Sequence, residues 1–164
     1  IKINQSIAHD GVCLTVTALN KNNYTVCVVN ETIQKTNVLS WRIKDEINLE
    51  RCLEIGNRLD GHFVQGHIDT VIECVNIYDQ KGSWIFEFEY SEEYAKYVVP
   101  KGSISINGVS LTIADIQDDQ NCFTVAIIPY TFKHTNFRSI KKGNYVNIEF
   151  DILTKQMIRL SEKK

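Results

Sequence analysis

Apolar and polar residues alternate in short runs along most of the chain, and turn-forming residues separate the runs. Val12, Leu14 and Val16 share one face while Cys13, Thr15 and Thr17 share the other, which is the period of a half-buried strand. Val109, Leu111 and Ile113 repeat the pattern against Ser110, Thr112 and Ala114. Each run follows a short strand and a turn, Asp10-Gly11 in one case and Asn107-Gly108 in the other. Both dipeptides suit a two-residue hairpin, because both central positions can take positive φ. The alternation predicts further strands over 24–29, 47–53, 63–75, 84–90, 122–128 and 145–152, with polar turns at 20–23, 79–82 and 117–120. In 84–90, Trp84, Phe86, Phe88 and Tyr90 form one aromatic face, with Glu87 and Glu89 expected toward solvent. Asn30 is expected to cap a short helical turn holding Glu31 and Thr32, and Ser91 another that ends before Pro100. In 152–164, Leu153, Met157, Ile158 and Leu160 fall at near-helical spacing, predicting a small amphipathic helix that needs a partner surface. So many short strands argue for an all-β barrel or sandwich.

The blocks recur in order. Ser6-Ile7-Ala8-His9-Asp10-Gly11-Val12-Cys13-Leu14-Thr15 returns as Ser103-Ile104-Ser105-Ile106-Asn107-Gly108-Val109-Ser110-Leu111-Thr112. Glu31-Thr32 with Thr36-Asn37 returns as Tyr130-Thr131 with Thr135-Asn136, and Ile47-Asn48-Leu49-Glu50 as Val146-Asn147-Ile148-Glu149. The offset is 97 residues from Gly11 to Gly108 and 99 from Asn48 to Asn147. A nearly constant offset of that length indicates tandem duplication of a β domain with its own core, not a solenoid repeat. The expected division is 1–61, 62–152 and a terminal helix over 153–164.

These blocks resemble the α-type riboflavin synthases. The resemblance rests on Gly11-Val12-Cys13-Leu14-Thr15-Val16-Thr17, on Glu31-Thr32 with Thr36-Asn37, on Asn48-Leu49-Glu50-Arg51 and on Gly61-His62-Phe63-Val64-Gln65-Gly66-His67-Ile68-Asp69. It continues through Lys101-Gly102-Ser103, Gly108-Val109-Ser110-Leu111-Thr112, Ile128-Pro129-x-Thr131 and Val146-Asn147-Ile148-Glu149-x-Asp151. It implies an all-β fold of two tandem six-stranded Greek-key barrels with a short C-terminal helix. Asp60, where many members have Gly, and Tyr130, where others carry His or Glu, depart from the family pattern.

Composition narrows the alternatives. A net charge of −2 and the lack of a Lys/Arg cluster offer no field for nucleic acid, and no apolar run approaches membrane-span length. Five cysteines, with no C-x-x-C pair, argue against a disulfide framework or a zinc site and for a cytoplasmic setting. The second copy has a long lead-in over 61–100 while the first has only 1–5, so equivalent copies would put roughly 35 further residues before Ile1.

His62 and His67 lie five apart, on opposite faces of the predicted strand, with no acidic partner at ligand spacing, so no metal site is expected. An imidazole that titrates near neutrality suits proton transfer, and the resemblance gives that role to His67. Cys13 and Ser110 occupy equivalent positions; Cys13 could be a small hydrophobe, but two different side chains at one repeated place suit a pocket that has diverged. The resemblance implies catalytic roles for His67, Ser110, Cys13, Ser6 and Asp151, Asp151 being also a cap candidate for the terminal helix. It implies substrate-binding roles for Cys13, Leu14, Thr15, Cys27, Val28, Val29, Asn30, Glu31 and Thr32. It extends them to Gly66, His67, Ile68, Lys101, Ser110, Leu111, Thr112, Ala126, Ile127, Ile128, Pro129, Tyr130 and Thr131. His67 and Ser110 are expected to serve one ligand, and Cys13 and Thr15 the other.

The implied reaction is dismutation of two 6,7-dimethyl-8-ribityllumazine molecules into riboflavin and 5-amino-6-ribitylaminouracil, with no cofactor. The electron-poor ring makes its C7 methyl acidic, so the protein has to hold two rings and move protons. The resemblance further implies a homotrimer with active sites between subunits, and association with lumazine synthase. A non-catalytic lumazine- or flavin-binding paralogue is the alternative. A flavin reductase with a related barrel would need a nicotinamide-binding domain with a Gly-rich phosphate turn, of which these residues hold none.

Overall fold

The computed structural model describes residues 1–163 and is predominantly β. The first half holds strands β1 (Ser6–His9), β2 (Val12–Leu19), β3 (Tyr24–Cys27) and β4 (Leu49–Arg51), with helix α1 (Asn30–Lys35) between β3 and β4. The second half holds β5 (Thr70–Asp79), β6 (Trp84–Glu89), β7 (Ser103–Ile106), β8 (Val109–Gln117), β9 (Cys122–Ile127) and β10 (Tyr145–Phe150). Helix α2 (Pro129–His134) precedes β10, and α3 (Ile152–Ser161) closes the described chain. No helix among the described residues is long and apolar enough to cross a membrane.

The second half is a closed six-stranded barrel in the order β10-β5-β6-β9-β8-β7. Closure leaves no strand edge, and Phe86, Phe88, Ile104, Phe123, Val125 and Ile148 fill the interior with no exposed surface. The first half is a four-stranded sheet in the order β3-β2-β1-β4. By position β1, β2, β3 and β4 match β7, β8, β9 and β10; the strands that join β9 to β10, namely β6 and β5, have no counterpart among its described residues. Ile7, Val12, Leu14 and Val16 are buried, but Val29, Leu49 and Leu53 stay exposed.

Both hairpins form as the turns predict. Asp10 and Gly11 have φ of 46° and 78°, Asn107 and Gly108 47° and 78°, the positive values a two-residue hairpin requires. The two turns also pack against each other. A Cβ on Gly11 would lie 2.7 Å from the Gly108 nitrogen, and one on Gly108 would lie 2.8 Å from that of Gly11. Only glycine allows that approach.

Around this contact the repeated polar residues exchange hydrogen bonds. Asn37 N–H donates to Asn147 Oδ1, and Asn136 N–H to Asn48 Oδ1, each at 2.8 Å. Asn48 Nδ2 donates to Asn107 O, and Asn147 Nδ2 to Asp10 O. Asn48 N–H donates to Asp10 Oδ1, and Asn147 N–H to Asn107 Oδ1. The Asn-x-Glu, Thr-Asn and turn motifs are therefore the seam between the copies. A cavity of about 450 Å³ opens there, lined among others by Asp10, Asn37, Trp41, Asp45, Asn107 and Tyr145.

Some elements differ from the alternation. The expected strand over 63–75 begins only at Thr70, because the backbone N–H groups of Gln65, Gly66 and His67 bond a side chain, not a neighbouring strand. The strand over 47–53 shortens to β4. Glu87 is buried, not solvated: a bulge between Cys74 and Asn76 brings Asn76 Nδ2 within 2.6 Å of Glu87 Oε2, and Tyr78 also donates to it. Asn30 is the first residue of α1, not its cap, and Ser91 precedes a 3-10 turn without a side-chain cap bond. Asp151 caps α3 by accepting from Leu153 N–H. Leu153, Met157 and Leu160 on α3 are 62, 72 and 68% exposed, while Lys155 pairs with Asp69 at 2.8 Å and Glu162 with Lys96 at 2.6 Å.

Candidate active site

Two matched surfaces arise from the exposed faces of the long hairpin strands. On β2, period-two alternation sends Leu14 and Val16 inward and leaves Cys13 and Thr15 outside. Thr15 pairs in register with Cys27 on β3, which is also exposed. Asn30, Glu31 and Thr32 follow at the start of α1. On β8, Ser110 and Thr112 take the places of Cys13 and Thr15, and Ala126 on β9 that of Cys27. Ile128, Pro129 and Tyr130 are exposed at the start of α2, where Tyr130 stacks on His134 with ring centroids 4.1 Å apart.

One irregular segment between β4 and β5 serves both surfaces. Its Gly66 lies against Cys13: Cys13 N–H donates to Gly66 O at 2.9 Å, and a Cβ on Gly66 (φ 80°) would sit 2.6 Å from that of Cys13. His67 follows, exposed, with Ile68 half-buried. Five residues earlier the same Gly-His dipeptide meets the second surface, with Gly61 against the Ser110 side chain. There His62 Nδ1 lies 2.7 Å from Ser110 Oγ, which also accepts from His62 N–H at 3.2 Å. Within the chain, therefore, His67 lies in the segment beside Cys13, and the histidine bonded to Ser110 is His62. From spacing alone His62 invites only a metal reading; the doubled Gly-His dipeptide is the signal in the sequence that pairs it with His67.

Burial lowers the His62 pKa, partly offset by the nearby Asp151 carboxylate, so the ring is held neutral at neutral pH. Its Nε2 is buried without a hydrogen-bond partner. A neutral imidazole with Nδ1 facing a hydroxyl can accept that hydroxyl's proton.

The other expected residues divide by exposure. Leu14 and Ile127 point into the interior, so at most their backbone can meet a ligand. Val28, Leu111 and Thr131 are half-buried or at the rim, as is Ser6, whose carbonyl accepts from Cys52 Sγ. Lys101 takes positive φ (62°) and its ammonium donates to Ala114 O at 2.6 Å. No group of three or more His, Cys, Asp or Glu among the described residues is arranged to hold a metal ion.

A duplicated β protein that presents one matching strand face per copy is the class that this geometry defines. The family described as "Lumazine binding domain" matches residues 1–52 and again 65–151. The riboflavin synthase of Actinobacillus pleuropneumoniae is 38% identical over the whole of this chain and 75% of its own length. That of Saccharomyces cerevisiae is 40% identical over 93% of this chain and 66% of its own. The chain belongs to the riboflavin synthase family. Among solved structures, LumP complexed with 6,7-dimethyl-8-(1'-D-ribityl) lumazine superposes with a TM-score of 0.81 at 22% identity, over 91% of this chain and 79% of that one. LumP complexed with riboflavin gives 0.83 at 22%, over 92 and 80%. At that identity the likeness is one of fold.

Proposed function

We propose that the chain is a riboflavin synthase, transferring a four-carbon unit between two 6,7-dimethyl-8-ribityllumazine molecules to give riboflavin and 5-amino-6-ribitylaminouracil. The observation that carries the reading is the similarity to riboflavin synthases along the full chain, in a fold that repeats one surface twice. A dismutation consumes two copies of one substrate, so two related surfaces suit it.

In this reading one lumazine lies over Cys13, Thr15 and Cys27 beneath His67, and the other over Ser110, Thr112 and Ala126 beside His62. His62 draws the Ser110 hydroxyl proton toward Nδ1, which makes Ser110 Oγ the better acceptor for a proton from the C7 methyl or the better nucleophile at C7. Ser6, Asp151, Lys101 and the starts of α1 and α2 complete the two ligand surfaces. Residues 1–61 belong to a first barrel, 62–152 form the second, and 153–164 associate subunits. The apolar residues exposed on α3 suit a homotrimer in which the first surface of one subunit meets the second surface of its neighbour. Association with lumazine synthase and a cytoplasmic setting belong to the same reading.

The test is purified protein mixed with 6,7-dimethyl-8-ribityllumazine and no cofactor. Growth of the riboflavin absorbance band is the expected result. Stoichiometric binding with altered lumazine fluorescence and no riboflavin would instead identify a binding protein.

A further inference from the structure

Glu149 lies on β10 in the second half, 1% exposed. Among the described residues no cation contacts its carboxylate directly; three consecutive backbone N–H groups do. Oε1 accepts from Gln65 N–H at 2.8 Å, and Oε2 from Gly66 N–H at 2.8 Å and His67 N–H at 3.1 Å. Successive N–H groups aimed at one anion make strong, charge-assisted bonds. The segment they belong to is neither strand nor helix, so nothing else in its own backbone fixes residues 65–67. Among the described residues its one other hydrogen bond there is at Gly66 O, which accepts from Cys13 N–H at 2.9 Å.

We propose that Glu149 is a positioning residue: its carboxylate fixes the backbone of Gln65, Gly66 and His67 so that the His67 imidazole is presented beside Cys13 of the first surface. A group in the second half thereby sets the chemistry of the first. The repeated position, Glu50 on β4, is exposed and has no such partner among the described residues. The role rests on the riboflavin synthase reading for its consequence in turnover, but the clamp itself does not.

Glu149→Gln keeps the shape and replaces one acceptor oxygen by an NH2 group that opposes backbone donors. Turnover of 6,7-dimethyl-8-ribityllumazine should fall about 10- to 100-fold, as for a misplaced catalytic group, with KM changed by less than about threefold. The double variant His67→Ala/Glu149→Gln should be no slower than His67→Ala alone, because one residue acts through the other. Hydrogen exchange should accelerate at the amides of 65–67 while those of Ile104, Phe123 and Ile148 keep their protection. Wild-type turnover in Glu149→Gln, or additive losses in the double variant, would overturn the role. If the wild type makes no riboflavin, the functional reading fails, and unchanged exchange at 65–67 in the variant would separately overturn the clamp. Should Glu149→Gln fail to fold, Glu149→Asp, which keeps the charge but withdraws it by a methylene, carries the same measurements.

Discussion

The two halves use matching hairpins, matching short helices and matching Asn-x-Glu strands, yet they are buried very differently. In the second half β5 and β6 bridge β9 to β10, so Asn147 and Glu149 are sealed from solvent. In the first half the matching strands β3 and β4 each pair on one side only, and Asn48 is half-buried and Glu50 exposed. The same local sequence therefore makes the same local turn in both halves, while its energetic weight depends on whether strands cover it. Local pattern sets the element, and closure sets the burial.

The sharpest way to break the pairing is at the hairpin tips. Gly11→Val or Gly108→Val puts a β-branched residue at φ 78° and a Cβ within 3 Å of the facing backbone. A loss of about 3 kcal/mol or more is expected from each, read by denaturant melts. Both should hurt alike, since the contact is shared. Next are the matched amides. Asn147→Ala strands Asn37 N–H and Asp10 O inside the seam and should lose about 2–3 kcal/mol, whereas Asn48→Ala, half-buried, should lose nearer 1 kcal/mol. Equal losses would show that closure does not govern the seam.

Asp10, which stands where the second copy has the neutral Asn107, brings a titratable carboxyl into an otherwise matching network. Burial pushes the Asp10 carboxyl up to about 7, opposed by the hydrogen bonds from Asn48 and Asn136 and reinforced by Asp45. A folded value above the unfolded one means the folded state binds the extra proton, so stability is fully present below the ordinary value of 3.8 and is lost as pH rises through about 7. Asp10→Asn, which copies Asn107, should therefore be more stable than wild type at pH 8, by on the order of 2 kcal/mol, and match it at about pH 3. A difference that does not vary with pH would remove the titration from Asp10. The smallest effect is expected from Arg138→Ala, whose exposed pair with Glu46 crosses between the halves. The denaturation midpoint should shift only slightly, and less still in high salt.

The sequence made the hairpins legible because Asp-Gly and Asn-Gly demand one turn geometry, and it made the duplication legible because the offsets hold. It made Cys13 and Ser110 legible as a pair for the same reason. It did not reveal His62, because its partner lies 48 residues away. Nor did it reveal that Asn37, Asn48, Asn136 and Asn147 bond one another across the seam, since reciprocity becomes visible only in space. Phe63 to Asp69 alternates enough to pass for strand, but Gly66, at positive φ, and a distant carboxylate hold the backbone of residues 65–67 out of any ladder. Glu87 fell on the polar side of an alternation that a bulge then covered.

The seam has the logic of an isologous dimer written into one chain: residue i meets j, and the copy of i meets the copy of j. Each half thus carries a face complementary to itself as well as to its partner. A covalent link turns that self-recognition into an intramolecular event and spares it any dependence on protein concentration. Once the halves no longer had to be identical, Cys13 could differ from Ser110 and Asp10 from Asn107 without loss of the contact that joins them.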